Sequence, residues 1–214
     1  MLRPTLRALT AATLLGAAGL GIPGVRSAAL RAAGEALVAD DVVTKADVIV
    51  VAVDADGAGV LEAADLVQAG VAPRVAVFSD PPDPVVDREF LRRGVPYEDA
   101  AARSVRQLEA LGLTGIEQIP RAVAGTEDEG RVLPAWCDEH GIRSLVVVST
   151  ADHSRRLQRV LRRSMAGHAA QVMVRRTRYS PFDPDRWWWS REGLRIGIVE
   201  LQKLVLDCLR HPFS

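Results

Sequence analysis

Residues 144–163, SLVVVSTADHSRRLQRVLRR, constrain the fold more than any other stretch of this 214-residue chain. Leu145 through Val148 make an unbroken apolar run rich in β-branched residues, the pattern of a strand buried on both faces of a parallel sheet. From Ser154 onward Leu157, Val160 and Leu161 recur at helical spacing among arginines. Strand therefore gives way to helix within about five residues, as in a βα unit. Ser149, Thr150, Asp152 and His153 fall in the βα turn. Open parallel sheets bind ligands at the carboxyl ends of their strands, where helix N-termini present free N–H groups and partial positive charge. His153, Arg155 and Arg156 add side-chain donors there, so the turn reads as an anion-binding corner. The structural alternative is that Ser154 caps the helix and the arginines form a solvated face.

A chain of 214 residues allows one domain of ordinary size with a short appendage. The 48% apolar share, swollen by alanine, suits a globular α/β protein. Basic and acidic residues number 27 each, and a net charge of zero argues against a nucleic-acid binder, which carries a basic excess. Cys137 and Cys208 both fall in helical patterns, which favours two buried free thiols over a disulfide.

Residues 1–25 differ in kind. Arg3 and Arg7 precede a charge-free run over residues 8–25, matching a secretory signal peptide or a signal anchor. The run is short for a membrane span and is broken by Gly16, Gly19, Gly21, Pro23 and Gly24. A cleaved signal, an uncleaved anchor and a cytoplasmic segment all stay open. Residues 26–45 read as a linker or connecting helix, and residues 46–214 as the α/β domain.

Within that domain DVIVVAV at 47–53 reads as the first strand, ending at Asp54, Asp56, Gly57 and Gly59. Paired aspartates at a strand end suit a metal, a sugar hydroxyl or simply a turn. A calcium loop would need carboxylates where Ala52 and Ala63 stand, and a dinucleotide fingerprint would need a third glycine, so neither is expected and no metal site emerges. A strand over 74–78 puts Ser79 at its end; shorter ones follow at 116–119 and 171–174. Thr126-Glu127-Asp128-Glu129 spells a capping box. The functional alternative turns Thr126 and Glu127 toward His153. Trp187-Trp188-Trp189 reads as core or as a membrane-interface belt. Leu194, Ile198, Leu201 and Val205 lay the last helix on the sheet.

Taken in order, ADVIVVAV (46–53), EAADLVQAGVAPRVAVFSD (62–80), GTEDEG (125–130), the Ser/Thr-to-His-to-Arg-Arg turn (149–156) and RYSPFDPDRWWWSREG (178–193) resemble the DUF218 family, the YdcF, SanA and ElyC-like proteins, over residues 46–209. The resemblance implies a Rossmann-like three-layer α/β sandwich with a mainly parallel sheet, preceded by an N-terminal hydrophobic helix like the membrane segments of SanA-like and ElyC-like members. Two departures stand out. Asp54 and Asp56 replace the family's glycines, and Glu129 stands where its asparagine is expected, so amide-type ligand recognition does not carry over.

The main expectation is an envelope-associated domain, held at the membrane by its N-terminal segment and extracytoplasmic. It would bind or process a small anionic ligand such as a phosphorylated or lipid-linked envelope precursor. Its ligand-binding residues would be Asp54, Asp56, Ser79, Thr126, Glu127, Ser149, Thr150, Arg155 and Arg156. His153 would serve as general acid or base, since imidazole ordinarily titrates near neutrality. No G-x-S-x-G elbow occurs and neither cysteine ends a strand, so no nucleophile is assigned and the cofactor stays open. The alternatives are a cytoplasmic domain binding a nucleotide or S-adenosylmethionine, and a non-catalytic scaffold whose site has drifted.

Overall fold

The computed structural model describes residues 21–79, 81, 84–96 and 98–212. Five strands, β1 (Val48–Val51), β2 (Val75–Ser79), β3 (Glu117–Ala122), β4 (Ser144–Ser149) and β5 (Gln171–Arg176), form one parallel sheet in the order β3-β2-β1-β4-β5. All of β1, and β4 from Leu145 onward, is buried. Central parallel strands are covered on both faces, which is why these two runs are apolar throughout and do not alternate. β3 lies on an edge, buries Ile119 alone and tolerates Pro120.

The described helices are α1 (Pro23–Ala36), α2 (Asp56–Gln68), α3 (Pro84–Arg92), α4 (Ala100–Ala110), α5 (Thr126–Glu139), α6 (Ala151–Ser164) and α7 (Arg191–Arg210); α2, α4 and α6 make the main contacts with the sheet, whereas α7, expected on the sheet, lies on α6 with Leu194, Ile198 and Val205 exposed. α2 packs on α4, whereas α6 packs on both α5 and α7. The chain winds from β1 out to β3, then crosses back to β4 and β5. Right-handed crossovers then place the two helix groups on opposite faces. The Rossmann-like α/β architecture expected from the sequence is the one observed. The N-terminal hydrophobic helix expected ahead of it falls on residues outside those described.

A second apolar cluster ties the chain ahead of β1 to its C-terminal helix. Leu37, Val38, Ala151, Phe182 and Trp187 are buried together, and the Trp187 Nε1 donates to the Leu30 carbonyl at 2.8 Å. Asp41 completes the attachment: its N–H donates to the Val174 carbonyl and its carboxylate accepts the Val174 N–H at 2.9 Å, capping the open edge of β5. The three tryptophans do not act as a unit. Trp187 is core, while Trp189 is 70% exposed with the Arg186 guanidinium 5.1 Å over its ring. Nor are both thiols buried: Cys137 is, Cys208 is exposed, and each is free.

Among the described residues, no helix is long and apolar enough to cross a membrane. The charge-free run over 8–25 lies outside them as far as residue 20, so the expected membrane attachment finds no support in the structure.

Trp187 is clasped by glycines. A Cβ at Gly197 would lie 2.4 Å from its ring, and one at Gly34 would lie 2.3 Å from the Pro184 carbonyl oxygen. Gly197→Ala is therefore expected to lower stability by about 1–3 kcal/mol, the usual cost of overpacking, read as a lower denaturant midpoint; an unchanged midpoint would contradict this packing.

Candidate functional site

Val51 of β1 pairs with Val148 of β4, so the segments that follow the two strands emerge side by side. After β1 a single 3-10 turn, Val53–Ala55, carries Asp54 outward. After β4, Thr150 precedes α6, whose first turn holds Asp152 and His153. The start of α5, packed on α6, brings Thr126 to the same place.

His153 is the hub. Its ring is 2% exposed; Nε2 lies 2.7 Å from Thr126 Oγ1 and 3.2 Å from Asp54 Oδ2. On the other side Arg156 Nη2 is 2.9 Å from Nδ1, and Glu200 Oε2 is 3.4 Å from it. A guanidinium only donates. The neutral tautomer with its hydrogen on Nε2 suits both sides, since Nδ1 then accepts from Arg156 and Nε2–H faces the Asp54 carboxylate, which only accepts. His153 therefore presents a donor to Asp54 and the cleft beyond, fit to hold an anionic oxygen or to release a proton.

The capping box spelled by residues 126–129 does not form. α5 has no side-chain cap at its N-terminus, because Thr126 turns to His153 instead. Glu129 is 1% exposed, and its Oε1 accepts the Val53 N–H at 2.8 Å, tying α5 to the turn that carries Asp54. Its Oε2 is buried without a partner among the described residues. Burial pushes the Glu129 carboxyl up, against the pull of the Val53 N–H.

Glu200, on α7, gathers the cations. It accepts from Lys203 Nζ at 2.6 Å and from Arg156 Nε at 3.3 Å, besides facing His153. Burial opposes its ionisation, but His153, Lys203 and Arg156 outweigh burial and hold its carboxyl down at about 2. Asp152 behaves oppositely. Its burial pushes the carboxyl up despite bonds from its own N–H and Thr150.

These groups border a cleft of two lobes that share Asp54 and Lys203. The larger, about 420 Å³, lies between the start of α6 and α7 and includes Thr150, Asp152, His153, Ile196, Val199 and Glu200. The smaller, about 370 Å³, lies at the N-terminus of α5 and includes Gly125, Thr126 and Arg156. Two helix N-termini thus open on one cleft at the strand ends, a setting that favours anions.

Of the residues singled out from sequence, the structure brings together Asp54, Thr126, Thr150, His153 and Arg156, with Glu127 on the exposed rim. Others do not join them. The Arg155 guanidinium donates to Gln158 and the Arg155 backbone N–H donates to the Leu37 carbonyl, so the residue supports the segment after α1. Ser79 donates to the Ile119 carbonyl at 2.6 Å and serves the β2–β3 edge. Ser149 is fully buried with its hydroxyl unpartnered among the described residues. Asp56 starts α2 away from both lobes; it is the one described non-glycine residue at positive φ, 42°. Nor does Ser154 cap α6: it is buried within the helix, accepting the Ala39 N–H. Sequence reasoning missed Glu200, Lys203 and Arg195 altogether. Glu-x-x-Lys on a helix reads as a solvated pair, and no local signal separates it from one that faces a site.

No family model and no curated protein matches the chain. Two solved structures resemble it. One is a universal stress protein in complex with cAMP, 22% identical, covering 62% of this chain and 98% of that one at a TM-score of 0.33. The other is the guanylylpyridinol- and ATP-bound HcgE from Methanothermobacter marburgensis, 15% identical, covering 81% and 99% at a TM-score of 0.33. Nothing found supports the expected membrane-anchored envelope domain: both of these structures hold nucleotides, and no helix among the described residues is long and apolar enough to cross a membrane. At that TM-score neither structure carries an argument about this chain's ligand, which rests on its own side chains.

The ordinary glutamate value is 4.5, so the stability that Glu200 contributes is complete above pH 4.5 and is lost as pH falls toward about 2. Glu200→Gln is expected to be less stable at pH 7 by on the order of 3 kcal/mol, with the gap from wild type closing between pH 4.5 and about 2 in urea titrations. Glu129 supports a separate expectation. Glu129→Gln keeps an acceptor for the Val53 N–H and costs under about 1 kcal/mol, whereas Glu129→Ala leaves that donor unpaired and costs about 1–3 kcal/mol in the same assay.

Proposed function

We propose that the cleft binds a small anionic ligand of the nucleotide type. The observation that carries this reading is the convergence, at the ends of β1 and β4, of the His153 Nε2–H with the cations Arg156 and Lys203 beneath two helix N-termini. Such a setting suits phosphate oxygens: charged donors and backbone N–H groups face a partly enclosed space of small-molecule size. Lys203 is the adaptable member, with its side chain 49% exposed and paired with Glu200. A phosphate can recruit it without unfolding anything. Arg156 is the fixed member, 13% exposed and braced between His153 and Glu200.

One observation favours a second reading. Glu200 already contacts His153, Arg156 and Lys203, as a site stabilised by its own side chains would. A non-catalytic scaffold needs no ligand to stabilise that arrangement.

Thermal unfolding with a panel of nucleotides and S-adenosylmethionine separates the two. A ligand held at a hundred times its Kd should stabilise the protein by about 2.7 kcal/mol, and Lys203→Gln should weaken its binding about tenfold, which is about 1.4 kcal/mol. No stabilisation by any member of the panel would overturn ligand binding and leave the scaffold.

A further inference from the structure

We infer that the cleft takes its ligand in one direction, the phosphate end at the N-terminus of α5 and the planar, uncharged end against α7, so that α7 selects which ligand binds. This rests on the nucleotide-type reading and adds to it an orientation and a selecting element.

The two helix N-termini are not equivalent. The start of α6 already carries its own acid: Asp152 stands in its first turn, with Glu200 across the same lobe. A phosphate placed there would meet both carboxyl groups. The first turn of α5 carries Glu127, Asp128 and Glu129, of which Glu129 is turned away to the Val53 N–H. Asp128 accepts the Ala124 N–H at 3.0 Å and is paired with Arg131. The Glu127 carboxylate is 65% exposed and lies 3.7 Å from Arg163. At the start of α5 the Asp128 and Glu129 N–H groups donate to the Gly125 carbonyl, which leaves those of Thr126 and Glu127, among the described residues, beside a lobe that Arg156 and Lys203 both border; at the start of α6 the Ala151 N–H is taken by Ser180 Oγ. In the α5 lobe Arg156 and Lys203, with the free backbone N–H groups, offer phosphate oxygens compensating charge against the Asp54 carboxylate on its border.

The α7 lobe differs in its wall. Pro181, Ile196 and Val199 give it an apolar side, with Val199 41% exposed and Arg195 at the rim. Apolar surface left open beside a guanidinium suits a flat heterocycle, which buries area on one face and stacks on the other. Asp54 and Lys203 stand where the lobes meet, so a ligand that spans the cleft passes its linking group over Lys203. A nucleoside phosphate has this shape, with a ring at one end, phosphate at the other and hydroxyls between.

The test uses adenosine monophosphate and inorganic pyrophosphate as probes, with binding followed by calorimetry on the full chain. Val199→Trp fills the α7 lobe from an exposed helix position; Val199→Ser, a second variant, removes the apolar contact without adding bulk. Wild type should bind both probes. Either Val199 variant should weaken the monophosphate tenfold or more and leave pyrophosphate within about twofold, while Lys203→Gln should weaken both. Equal weakening of the two probes by Val199→Trp, unchanged monophosphate binding in both Val199 variants, or failure of wild type to bind pyrophosphate would each overturn the orientation while the nucleotide-type reading stands. Failure of wild type to bind either probe or any other nucleotide would overturn that reading and the orientation with it.

Discussion

The pairing of β1 with β4 is the constraint on which the rest of the molecule depends. These strands are consecutive in space but separated in sequence by β2 and β3, because the winding reverses between them. Where the winding reverses, connecting helices leave in opposite directions and a crevice opens at the strand ends. The register, Val51 against Val148, decides what lines that crevice. It sets Asp54 beside His153. A slip of one residue would exchange the two faces on which each strand's side chains pack, so the core that fixes the register also fixes the site.

Once that crevice exists, its electrostatics are governed from across the cleft. Left to itself, the βα turn after β4 would present a histidine and two arginines to solvent. α7 changes this by bringing Glu200 against His153 and Arg156. Burying a carboxylate is costly unless charge partners surround it, and here three groups do. Thr126 and Glu129, from α5, complete the enclosure. One contacts His153, and the other holds the backbone beside Asp54. The site is thus assembled from the ends of β1 and β4, the start of α5 and the middle of α7, and each contributes something the others need.

Segments whose environment is uniform along their length were legible. β1 and β4 are buried at nearly every position, so their apolar runs could only be central strands. The turn after β4 was equally plain, since periodicity changes there from none to helical. Legibility failed where one residue had two possible partners. Thr126 and Glu129 have the spacing of a capping box, yet each finds a stronger partner on another element, His153 and the Val53 N–H. Arg155 and Arg156 are adjacent and alike. A helix turns about 100° per residue, which sends one to Gln158 and the other to Glu200. Nothing in a dipeptide says which is which until the helix has a neighbour.

From the sequence alone follow the α/β class, the central strands and the place of His153 at a strand end, because burial on both faces and a change of period are local properties of the chain. Tertiary structure alone decided which polar side chains share a cleft. It excluded Ser79, Asp56 and Arg155, and it recruited Glu200, Lys203 and Val199 from α7. The physical reason is range. Apolar burial acts on every residue of a segment and leaves a pattern along it, whereas a hydrogen bond or ion pair joins two atoms whose separation in sequence, 47 residues for His153 and Glu200, leaves none.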